Sequence, residues 1–220
     1  MNFLRINFDG DPNLGLYGFA TDKYCFMGSD RYSAKVKDTL KVQIHAFPLL
    51  NMDLVRIFCT GNSSSVIIPK VLQDFDPESV EKMRKYFEVL VVNTRYSSIG
   101  NLMLMNDNGI LISPLLKKHK KDIERFCGIN CEIATVANMN IIGNLGFATN
   151  KGCLAHPKLR EKEKRLIEHT LKVDADICTV NFGSPYPGAG IIANSNGFVV
   201  SEITSGPELG RITDVLGFLE

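Results

Sequence analysis

The chain has 220 residues, 45% of them hydrophobic, and 25 lysines and arginines stand against 24 aspartates and glutamates. That is enough apolar material for a substantial core, and a net charge of +1 excludes broad attraction to nucleic acid or anionic lipid, so any polyanion contact must be local. No apolar run approaches the roughly 18 residues of a membrane span, the opening MNFLRINFDG does not read as a leader, and the cysteines sit in apolar runs as reduced thiols do; a soluble cytoplasmic protein is expected.

Taken in order, FLRINF (residues 3 to 8) is an extended run with no hairpin of its own. GLYGFATDKYCFM, from Gly15, is an apolar run, a polar turn at Thr21 and Asp22, and a second apolar run, which reads as a β-hairpin. A weak helical stripe (Val36, Leu40) and the extended VQIHAF follow. LVRIFCTGNSSSVIIPK repeats the hairpin with Val55 and Ser64 where the other copies have glycine, then a stripe of Val80, Met83 and Phe87 behind Asp76 and Pro77, then VLVVNTR.

The third copy, NLMLMNDNGILISP, spans Gly100, Gly109 and Pro114, and PLLKKHKKDIERFCG predicts a helix with Leu115, Leu116, Ile123 and Phe126 on its apolar side, ended by Gly128. CEIATVA follows. The fourth, NLGFATNKGCLAHP, keeps the spacing at Gly143, Gly152 and Pro157, with Leu159, Leu166, Ile167 and Leu171 as the stripe and ADICTVN as the extended run. The fifth, GAGIIANSNGFVV (Gly188 to Gly197), leads to Leu209, Ile212 and Leu216 between Pro207 and Gly217, and has no extended run after it.

Starts near 15, 55, 100, 143 and 188 define a repeat in which each unit buries its apolar face on its neighbours. The run at residues 3 to 8 supplies the strand the fifth unit lacks, so the expected fold is a single α/β domain over 1–220, a ring of five units closed by the N-terminal strand. A propeller of four-stranded blades shares the period but has no helix in each blade.

Shared residues of a repeat are structural first, so chemistry is sought where units differ. GAGIIA has dinucleotide-type glycine spacing but is followed by an extended run, not a helix. Cys127, Cys131, Cys153 and His156 could supply zinc ligands, yet their spacing is loose, and no metal or cofactor is expected. KKHKK (117 to 121) and KLREKEKRL (158 to 166) are basic helix faces that solvent or phosphate could meet. No nucleophile, phosphate-loop or metalloprotease motif is present, so no enzyme activity is expected.

DPNLGLYGFATDKY, IGNLMLMNDNGILISP, TNKGCLAHP, TVNFGSPYPGAGIIANSNGFVV and TSGPELGRITDVLGF together resemble the translation initiation factor 6 family, from about Asn13 to Phe218. The resemblance implies a pentein β/α propeller with five pseudosymmetric repeats. It implies a monomeric ribosome anti-association factor that binds the large ribosomal subunit near ribosomal protein L14 and the sarcin-ricin loop. Such a factor blocks the small subunit by bulk and has a role in large-subunit biogenesis. It further implies that Asn106, in the third hairpin, faces the ribosomal protein at the surface, with Gly15 beside it. The second unit departs from the family, reading LLNMDLVRI in place of a glycine-rich edge. Two alternatives remain, a scaffold for another protein and a guanidine-modifying enzyme of the same fold; the latter needs a late nucleophilic cysteine, and the last one here is Cys178.

Overall fold

The structure, a computed structural model, describes residues 3–219. Among them, fifteen strands form five three-stranded sheets of one topology. In modules one to four an antiparallel hairpin is followed by a helix, and the helix returns the chain to a third strand parallel to the second. Parallel pairing requires such a crossover, which is why the helix of these modules lies between the second and third strands.

Module one pairs Gly18–Ala20 with Tyr24–Met27 and Gln43–Ala46, across the helix Ser33–Leu40. Module two uses Thr60–Gly61, Ser65–Pro69 and Glu88–Val92, with the helix Pro77–Arg84. Module three uses Met103–Met105, Ile110–Ile112 and Cys131–Ile133, with Lys120–Cys127. Module four uses Gly146–Ala148, Cys153–Ala155 and Ala175–Ile177, with Glu161–Leu171. In module five, Ile191–Ala193 and Phe198–Val200 precede the helix Gly206–Val215, and the third strand is Phe3–Arg5, in parallel register with Phe198 to Val200.

Each hydrophobic core lies between modules. Phe19, Phe26 and Phe47 of module one pack on Val66, Leu72 and Met83 of module two. The same arrangement recurs at the next three junctions and again where module five meets module one, with Ile192 and Val199 against Leu14, Val36 and Leu40. No module buries its apolar face alone, so stability requires neighbours on both sides.

A short helical turn opens every module: Leu14–Leu16, Val55–Phe58, Ile99–Leu102, Ile142–Leu145 and Pro187–Gly190. Each touches the turns of both adjacent modules, the last touching the first, so the turns form a closed inner ring.

Local departures from the expected elements have physical causes. An additional helix, Lys70–Phe75, precedes Pro77, whose ring cannot continue it. The run from Pro114 is a 3-10 turn to His119 before it becomes α-helical at Lys120. The tighter turn shifts the side-chain register, so Leu116 and Ile123 are buried while Leu115 and Phe126 reach the surface. GAGIIA forms one helical turn leading into a strand, with no helix behind it to hold a dinucleotide.

Candidate functional site: the two ends of the ring axis

The first strand of each hairpin runs from the inner ring of turns to the hairpin tip. The ring axis therefore has two chemically different ends.

At the tip end the polar groups nearest the axis satisfy one another. Asp107 accepts from the Ser63 amide and hydroxyl of module two, both at 2.7 Å, and its own amide donates to Asn150 Oδ1 of module four at 3.0 Å. Asp22 of module one accepts in the same way from the Ser195 amide and hydroxyl of module five. The Asn150 amide donates to both carboxylates at 2.7 Å, linking modules one and three across the axis.

Asn106 belongs to this network from the inside. Its Oδ1 accepts from the amides of Asn108 and Gly109, which fixes the turn, and its Nδ2 donates to Thr149 O and Leu171 O of module four at 3.0 and 2.9 Å. Asn194 repeats this toward Thr21 O and Leu40 O of module one. The expectation of a surface side chain is therefore corrected: Asn106 is 6% exposed because its amide is consumed in joining two modules.

Gly15 lies at the other end, in the inner ring, so the structure does not place it beside Asn106. There the repeated glycines permit backbone-to-backbone packing. A Cβ on Gly143 would collide with the carbonyl oxygen of Gly100 and lie 2.6 Å from that of Met103; on Gly188 it would meet Gly143 and Gly146, and on Gly15 it would meet Gly188 and Ile191. These glycines are buried, and each offers only backbone.

The residues that follow them differ between modules and are partly exposed: Leu16, Arg56, Asn101, Asn144 and Ala189. Arg56 donates to Gly100 O, and enclosure pushes its pKa down to about 10; it is in no ion pair among the described residues. Sequence reasoning passed over Arg56 and Asn101 because glycine spacing was the visible signal.

The loops leading into the inner turns surround this end. Four carry tight turns with left-handed pairs, at Asp9 and Gly10, Leu50 and Asn51, Ala137 and Asn138, and Asn181 and Phe182. In the last three a carboxylate at the start of the following helix grips the turn. Asp76 takes the Leu50 amide; Glu163 takes those of Ala137 and Asn138; Glu208 takes those of Phe182 and Gly183. Burial alone would raise the Glu163 and Glu208 carboxyls, but the amides and hydroxyls around them outweigh it and hold both below the usual glutamate range. The loops expose apolar groups, Met52, Ile141, Tyr186 and Phe182, the last 82% exposed.

The candidate zinc ligands do not gather. Cys127 meets Ser65, the His156 ring meets Tyr186, and no group of three metal-ligating side chains occurs among the described residues. Burial pushes the Cys178 thiol up to about 12, and its Sγ contacts Thr179 O, so it is a neutral packed thiol and not an activated nucleophile. No helix among the described residues is long and apolar enough to cross a membrane.

Comparison with known proteins agrees with this architecture. The model of the eIF-6 family matches residues 3–215. The chain is 33% identical to translation initiation factor 6 of Pyrococcus horikoshii over 227 aligned residues covering 100% of both chains. It is 34% identical to that of Haloquadratum walsbyi (99% of this chain, 97% of the relative) and 33% identical to that of Methanocaldococcus jannaschii (98% of each). A fivefold β/α ring matched along almost all of its length in this way belongs to the eIF-6 family, and its function lies in translation.

Proposed function

We propose that this protein binds the large ribosomal subunit through the inner-ring end of its axis, near ribosomal protein L14 and the sarcin-ricin loop, and excludes the small subunit by occupying its place. It acts as a cytoplasmic monomer, before subunit joining and during large-subunit biogenesis, and it needs no catalysis.

The observation that carries this reading is the contrast between the two ends. The tip-end side chains nearest the axis are spent on each other, whereas the inner-ring end leaves Arg56 without a carboxylate and Asn101, Met52, Tyr186 and Phe182 accessible around a closely packed backbone floor. A standard interface buries about 800 Å² per partner, under roughly a tenth of the 9692 Å² surface of this chain. Of the two residues to which the resemblance points, Gly15 belongs to this floor, and Asn106 contributes through the turn and the module junction that it holds.

The test is co-sedimentation with separated subunits. The protein should travel with large subunits and not small ones, and should lower the yield of joined ribosomes. Phe182→Glu, at a side chain 82% exposed on this end, should release it while leaving the fold intact by circular dichroism. Sedimentation with neither subunit would refute the assignment.

A further inference from the structure

The ring carries, on its flank, two clefts built from the same parts. Where module three meets module four, Pro114, Ile133, Thr135, Glu163 and Leu166 line a cleft of about 390 Å³, rimmed by Arg160 and Lys162. Where module four meets module five, Pro157, Ile177, Thr179 and Glu208 recur in the same roles around one of about 370 Å³, with Arg211 on its wall. Each cleft is floored by an exposed isoleucine of a sheet-edge strand, Ile133 at 40% and Ile177 at 42%.

They differ in what is already occupied. In the second cleft Arg211 donates to Ile177 O at 3.2 Å and pairs with Asp176 at 2.6 Å, so both the edge carbonyl and the cation are taken. In the first, Asn130 O and the Ala134 amide bond the central strand, so the backbone groups of Ile133 and Thr135 point outward, and no ion pair neutralises Arg160 or Lys162. Glu163, the cleft's carboxylate, is committed to Thr135 and three backbone amides.

Charge is segregated along the chain to the segment that lines this cleft. Residues 114–172 hold twelve lysines and arginines against six acidic residues, whereas the rest of the chain holds 13 against 18. Lys117, Lys118, Lys121 and Lys158 are likewise in no ion pair among the described residues.

We infer that the cleft between modules three and four is a second docking site, for an extended acidic peptide that adds a strand along the open Ile133 to Thr135 edge, beyond the Cys131 amide that Glu124 holds, seats an apolar side chain over Ile133 and Leu166, and places carboxylates on Arg160 and Lys162. A sheet edge gives affinity through the main chain and an alternating pocket gives selectivity. An apolar floor between cations suits a peptide better than an RNA backbone, which gains nothing from isoleucine.

The test uses the full-length protein and a fluorescein-labelled heptapeptide alternating aspartate or glutamate with valine or isoleucine, read by anisotropy at low ionic strength. Binding should weaken about tenfold or more in the double variant Arg160→Glu, Lys162→Glu, because close charge pairs are reversed, and should be unchanged by Arg211→Glu. Proline at the peptide centre should abolish it by removing a ladder donor. Lys162→Glu alone, at an exposed position, guards against a fold defect in the double variant. No binding, equal loss with Arg211→Glu, indifference to the central proline, or displacement by an oligouridylate at lower concentration than by unlabelled peptide would each overturn the proposal.

Discussion

Replacing Gly143 by alanine probes the inner ring most directly. The new Cβ would collide with Gly100 O and stand 2.6 Å from Met103 O, both main-chain atoms of the neighbouring module. Contacts of that kind are ordinary only beyond about 3.4 Å, so modules three and four would have to separate by close to an ångström or more. In an open solenoid the strain could dissipate by hinging; in a closed ring, separation at one junction compresses or opens the others. Overpacking costs typically about 1–3 kcal/mol, and the absence of a flexible side chain to yield places this site at or above the upper end. For a chain of this length about 3 kcal/mol lowers Tm by roughly 6–12 °C. Gly210→Ala is the internal control. It lies inside the helix Gly206–Val215 with nothing within 4 Å of the added methyl, and should gain about 1 kcal/mol from helix propensity. Thermal and urea melts of both variants test the argument. Gly143→Ala melting within about 2 °C of the parent would refute the packing account of the repeated glycines.

Further outcomes follow from the same geometry. Asn106→Ala should destabilise by about 2–3 kcal/mol in urea titration, since Thr149 O, Leu171 O and two turn amides lose their partner; a melt unchanged within error would refute the role of Asn106 in joining modules three and four. Glu163→Gln should cost about 1–3 kcal/mol, and because the folded carboxyl sits below its unfolded value, its contribution is present above the unfolded pKa and is lost as pH falls through the folded one, so the parent-to-variant gap in urea midpoint should shrink on strong acidification. His156 is held below its ordinary pKa by burial and by Lys158, and its Nδ1 accepts the Lys158 amide at 3.0 Å; its neutral form is favoured in the fold, so stability should fall as pH drops below the unfolded histidine value, an effect His156→Gln should reduce.

Much of the fold was legible before any coordinates, for a specific reason. Four of the five inner turns pack backbone on backbone, so their glycines recur at one spacing, with Val55 the exception, and the hairpin turns recur as polar triplets beside them. The unpaired run at Phe3 likewise had one vacancy to fill, beside Phe198. The site was legible only in part. The resemblance implied Gly15 beside Asn106, yet a β-strand separates the inner turn from the hairpin tip and carries the two positions to opposite ends of the axis. The gripping of the Leu50, Ala137 and Phe182 turns by Asp76, Glu163 and Glu208 left no local signal, since each carboxylate lies 25 or 26 residues after its turn and the turn residues differ in type.

By itself, then, the sequence determined what periodicity encodes: five hairpin-helix-strand units, their order and their closure, because steric limits at the axis and apolar alternation leave marks in every copy. Only the tertiary structure decided which polar groups are spent and which are open. Asn106 facing inward, Arg56 lacking a carboxylate, and Arg160 unpaired where Arg211 is paired all depend on how one module's side chains meet the next module's backbone, a relation between distant segments that residue identity alone does not carry.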